Sequence, residues 1–99
     1  MNVTVIYWRN IPSQVVAKAG RKSAKVMLSY RFQEAIDMAA MRSKAHESED
    51  YLEGWIKSDP EKTEGDQETI AKEKAAQLEA KFDGDILAAY VKNDGWSPQ

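Results

Sequence analysis

The chain has 99 residues, 42% of them hydrophobic and 30% charged, with a formal net charge of −2 and no cysteine. That is enough for one domain with one modest core, and it is the composition of a folded globule, not of a disordered tail. Disulfides, a thiol nucleophile and thiolate zinc are excluded, no apolar run approaches the ~20 residues of a membrane helix, and a pI near 5.4 argues against nucleic acid.

The first ten residues, MNVTVIYWRN, lack the basic region and the small-residue cleavage site of a secretory leader. The expectation is a cytoplasmic chain that is structured from its start. Val3 to Arg9 is β-branched or aromatic at nearly every position and of strand length. Apolar residues on both alternate sets predict a strand covered on both faces, or nearly so. Asn10, Ile11 and Pro12 turn the chain, with Asn10 tolerating an unusual φ. Ser13 to Gly20 follows as the second strand of a hairpin, with a short helix over Val15–Ala19 as the alternative. Arg21 to Ser29 is read as a third extended segment, and Ser29 as an N-cap.

Tyr30 to Ala45 is the clearest helix. Phe32, Ala35, Ile36, Ala39 and Ala40 form one stripe at helical spacing, flanked by Met38 and Met41. Ser48 is placed to cap a single turn through Tyr51–Leu52, and Gly54 opposes anything longer. Gly54 to Ser58 suits a returning strand, stopped at Asp59–Pro60, and Glu61 to Asp66 a polar loop. Asp66 caps a further helix with Ile70, Ala71, Ala75, Leu78 and Phe82 on one side. Gly84 is the expected stop and Asp85 the restart of a last helix, which ends at Gly95.

These elements predict a single α+β domain over residues 1–99. A small antiparallel sheet from the N-terminal half packs on two to four helices. The chain is strand-rich over 1–28 and helical over 29–46 and 66–93, with a short tail at 94–99. The expected core is Val3, Val5, Ile6, Val16, Phe32, Ile36, Ala39, Leu78, Phe82 and Leu87.

Charge is unevenly distributed. Residues 1–50 carry eight Lys/Arg against five Asp/Glu, and residues 51–99 carry six against eleven. Such polarity gives either one basic and one acidic face, or two halves that attract each other. The basic half is densest at KAGRKSAK, with Lys18, Arg21, Lys22 and Lys25 in eight residues. GRKS resembles the end of a phosphate-binding loop. That loop also needs a glycine five positions ahead of Gly20, so that backbone N–H groups can turn inward. Val15 stands there, and the match fails. What remains is a cation cluster able to hold a phosphate or carboxylate, or else a solvated turn that blunts a sheet edge.

His46 is the single histidine, and Glu47, Glu49 and Asp50 around it fit no metal-ligand spacing. A calcium loop aligned on Gly65 would need Pro60 and Lys62 as ligands, which they cannot be. An acid–base pair such as Asp37 with His46 can be imagined, but the sequence gives it no geometry. Trp8 and Trp55 fit core or core-rim packing, whereas Trp96 is either tucked back or left for a partner. No cofactor motif is present.

The run from Val3 to Arg42 resembles a family of small bacterial "virulence factor" domains. Tyr7-Trp8-Arg9, Ile11-Pro12, Gly20-Arg21, Lys25, Arg31-Phe32 and Ala35-Ile36-Asp37 carry the likeness. The resemblance implies a small cytoplasmic bacterial domain of unassigned activity, associated with virulence and, in some bacteria, with folate-linked one-carbon metabolism. It also raises the expectation that Arg9, Arg21, Lys25 and Arg31 share a face. Two functions follow. One is a non-enzymatic interaction or accessory module with a protein partner or a second copy. The other is a binder of an anionic metabolite, phosphate or folate-like. The candidate residues are Arg9, Lys18, Arg21, Lys22, Lys25 and Arg31. No cofactor, metal, nucleic acid or membrane is expected.

Overall fold

The structure, a computed structural model, describes residues 1–45 and 49–98. Three strands open the chain: β1 (Asn2–Trp8), β2 (Ile11–Ala19) and β3 (Lys22–Met27). Helix α1 (Tyr30–Arg42) and the single turn α2 (Asp50–Glu53) come next, then two short strands, β4 (Trp55–Lys57) and β5 (Glu61–Lys62). Helices α3 (Gln67–Lys81) and α4 (Gly84–Lys92) complete the α+β domain. The sheet is antiparallel, in the order β3-β2-β1-β4, with β5 also pairing with β1. Residues read as a polar loop thus contribute β5. Its pairing, Asn2 with Lys62 and Val3 with Glu61, comes from the far end of β1 and leaves no local pattern in so short a segment.

Both hairpins turn on two residues. In the second, Gly20 occupies the first central position at φ +60°, which a hairpin requires and glycine adopts without cost. In the first, Arg9 and not Asn10 takes the positive φ, at 54°. Tertiary contacts hold it there. Its amide donates to the Gly54 carbonyl at 2.7 Å, and its guanidinium donates to the Asp94 carbonyl at 2.7 Å.

Hairpin register decides what is buried. Val3 lies opposite Ala17 and Val5 opposite Val15, on the face covered by helices. Thr4 opposite Val16 and Ile6 opposite Gln14 fall on the other face by the period of two. The sheet is therefore covered on one face over this region, not two. Ile6 and Val16 leave the expected core, while Ile11, Val15 and Ala17 belong to it. Past Ile6 the register slips by one residue, which leaves Ser13 as an extra residue of β2. Its carbonyl accepts from the Leu28 amide at 3.1 Å.

Beyond the slip stands Trp8, with no exposed surface. Its indole N–H donates to the Tyr51 carbonyl at 2.8 Å. Gly54 and Gly95 press on the ring so closely that a Cβ would lie 2.5 Å and 2.8 Å from its atoms. The break after α2 is thus a packing demand as well as a helix stop.

The helical layer follows its sequence closely. Phe32, Ala35, Ile36, Ala39 and Ala40 are the buried stripe of α1, and Ala71, Ala75 and Leu78 that of α3. Asp66 caps α3 by accepting from the Thr69 amide at 3.0 Å. Two terminal details differ. Gly84 is the first residue of α4 and not a stop, because the Asp83 carboxylate accepts from the Ile86 amide and restarts the helix at once. Ser29 stands at the N-cap of α1 without capping it, since its hydroxyl donates to Glu79 at 2.8 Å.

Candidate functional site

The six sequence candidates separate into two groups. Arg9 and Arg31 are engaged within the fold. The Arg9 guanidinium lies 4.7 Å from the Trp8 ring centre and 5.2 Å from that of Trp96, and it binds the Asp94 carbonyl. That contact, with Ser97 N–H donating to the Asn10 side chain at 2.8 Å, tucks the tail back although Trp96 stays 49% exposed.

Arg31 closes the C-terminal end of α3. It donates to the carbonyls of Phe82 and Glu79 and to the Glu79 carboxylate at 2.9 Å, and it stacks over Phe32 at 4.7 Å. A cation here complements the negative end of the helix dipole. Partial burial works against the Glu79 carboxylate. The Ser29 amide and hydroxyl together with Arg31 outweigh it and hold this carboxyl below its ordinary value.

The other four cations lie at the opposite end of the hairpin from Arg9. Lys18 pairs with Asn2, six positions along β1 from Trp8, about 20 Å at strand rise. Arg21 and Lys22 are exposed at the β2–β3 turn, where the Lys22 carbonyl accepts from the Gln67 side-chain Nε2 at 2.9 Å. Lys18 and Lys25 stand on the open sheet face. With Asn2, Thr4, Ile6, Val16, Ser23, Lys57 and Pro60 they line a groove of about 400 Å³. Cross-strand register explains the set: Val16 pairs with Lys25, Lys18 with Ser23, and Ile6 with Lys57. Among the described residues the lining holds three lysines and no carboxylate.

Lys57 was not a sequence candidate. Its place depends on β4 returning to β1 from about fifty residues away, which no local pattern encodes. The face also offers apolar surface. By register Met27 lies in line with Gln14 and Ile6, and it is 62% exposed. The arrangement can attract anions and bury a modest apolar strip.

Among the described residues no three His, Cys, Asp or Glu side chains gather as a metal would need. His46 lies outside the described residues, as does Ser48. No described helix is long and apolar enough to cross a membrane.

A family model described as "Virulence factor" matches residues 6–91. The chain belongs to that family. No curated protein and no solved structure matches it. The virulence-factor description suggests a virulence-related role and names no reaction. The match takes in the end of β1, then β2, β3, α1, β4, α3 and most of α4, so it includes Lys18, Lys25 and Lys57 of the open face but not Asn2 or Thr4. Of the residues that carry the likeness, Trp8, Ile11, Pro12, Phe32, Ala35 and Ile36 are buried. Arg9 and Arg31 bind backbone carbonyls, so this part of the pattern builds the fold.

Proposed function

We propose that the chain is a non-enzymatic accessory module of a bacterial cytoplasm that binds an acidic protein partner on its open sheet face. One observation carries this. A face that the helices leave uncovered presents Ile6, Val16 and Met27 among Lys18, Lys25 and Lys57. An apolar strip with a charged margin is the anatomy of a protein interface, and uniform charge steers a complementary partner. The cytoplasmic part is supported by a core that holds eighteen buried hydrophobic residues among those described and uses no disulfide. The same lysines would serve a small anion. The breadth of the face and its exposed methionine favour the larger partner.

The test is site-directed photo-crosslinking in bacterial cells. A crosslinking residue at Thr4 or Val16 is expected to trap one discrete acidic protein, and one at Ala76, on the outer side of α3, is not. Charge reversal by Lys18→Glu with Lys57→Glu should abolish the adduct. Adducts that form equally from Ala76, or that survive the reversal, would overturn the proposal.

A further inference from the structure

We infer that β3 is a docking edge, and that an extended acidic segment of the partner adds to it as a further strand. The inference rests on the proposed function and specifies its mode.

In the sheet order β3 stands last, with β2 as its single strand neighbour among the described residues. It presents six residues of edge, long enough for an ordinary strand pairing. A second groove of about 400 Å³ runs along it, lined by Ser23, Ala24, Lys25, Val26 and, from α3, Glu68 and Lys72. A strand and a helix thus wall a channel in which an incoming backbone would sit ~4.8 Å from β3.

Side chains state what the segment should be. Ser23 and Lys25 lie on the open face, while Ala24 and Val26 lie on the helix-covered face. An added strand alternates likewise, so carboxylates on one set of positions reach Lys25 and small apolar residues on the other meet Ala24 and Val26. Lys25 lines both grooves and joins the edge to the open face.

Charge also selects against a second copy. β3 carries Lys22 and Lys25 and no carboxylate. Two such edges set lysines against lysines, the device by which natural sheets prevent edge-to-edge pairing. An acidic strand removes that repulsion.

The experiment uses the full chain and three synthetic hexapeptides, with binding read by calorimetry and by amide chemical shifts. Acetyl-Glu-Val-Glu-Val-Glu-Val-amide is expected to bind and to shift the β3 amides. The same peptide methylated on alternate backbone nitrogens keeps every charge but cannot extend the ladder on that edge, and should bind at least tenfold more weakly. Acetyl-Lys-Val-Lys-Val-Lys-Val-amide should not bind. Lys25→Glu should weaken the acidic peptide at least tenfold, and Lys92→Glu should leave it unchanged.

Equal binding of the methylated acidic peptide overturns strand addition while leaving anionic docking on the open face intact. Shifts confined to β1 and β4 have the same meaning. Absence of binding by any peptide overturns strand addition, and the crosslinking then decides the broader proposal alone. A concentration-dependent dimer that protects the β3 amides assigns the edge to a second copy and also overturns it.

Discussion

Substituting Gly54 by alanine sets two effects of opposite sign against each other. Its backbone lies at φ −69° and ψ −23°, where any residue is comfortable. On conformational grounds alone Gly→Ala would stabilise the protein by ~0.4–1 kcal/mol, through the unfolded chain. The new Cβ, however, would lie 2.5 Å from Nε1, 2.7 Å from Cε2 and 3.0 Å from Cδ1 of Trp8. Trp8 is fully buried, and its N–H is held by Tyr51 at 2.8 Å. The ring has no open side to move into. Overpacking of this kind costs ~1–3 kcal/mol, and displacing the indole far enough to break its hydrogen bond adds ~1–3 kcal/mol.

The steric effect wins, and the middle of the range these figures span is a net loss of about 3 kcal/mol. With an unfolding entropy of ~2.1 cal/mol/K per residue, Tm should fall by ~10–15 °C. Thermal unfolding followed by tryptophan fluorescence reads this directly. Gly84→Ala is the internal control. It has open space around the new methyl and a helical backbone, so Tm should rise by ~2–5 °C. A Gly54→Ala protein at least as stable as the parent, beside a Gly84→Ala protein that behaves as expected, would refute the packing argument.

Arg31→Ala should cost about 2 kcal/mol, at the low end for charged hydrogen bonds because the side chain is 37% exposed. Arg31→Lys should recover less than half of that, since an ammonium cannot fork between two carbonyls and a carboxylate; urea titration measures both. Glu79 has its carboxyl held low in the folded state, so its contribution is complete above the ordinary glutamate value near ~4.3 and is lost as pH falls through the folded value. The stability gap between the parent and Glu79→Gln should therefore close below pH ~4, and a gap that is flat from pH 3 to 7 would contradict this. Trp96→Ala should lower Tm by only ~2–5 °C, the worth of one exposed cation–π contact, while freeing Arg9 to respond in its side-chain NMR signal.

The sequence reveals most where a single element carries its own period. The buried stripe of α1 is visible because Phe32, Ala35, Ile36, Ala39 and Ala40 repeat at helical spacing, and the Asp66 cap because it is a local hydrogen bond. It reveals least where two distant segments must align. Val3 to Trp8 is apolar on both alternate sets, so only the pairing of Val5 with Val15 shows which set faces the helices. β5 and Lys57 have the same non-local origin.

The basic cluster was half legible. Lys18 and Lys25 meet because a two-residue turn at Gly20 fixes their strands in register, and that turn is written in the sequence. Arg9 and Arg31 look identical to them in a charge count. Their carbonyl partners, Asp94, Glu79 and Phe82, lie roughly fifty to eighty-five positions away and cannot be read from spacing.

The clasp between Arg9 and Asp94 spans 85 positions of sequence. A ribosome adding ~5–20 residues per second therefore takes several seconds to make the second half of that contact after the first has emerged. Throughout that interval the indole of Trp8 lacks its lid at Gly95, and β1 waits for the segment after α4 to cover it. During synthesis the β1–β2 hairpin is thus open to aggregation or chaperone capture until Asp94 and Gly95 emerge to close over it.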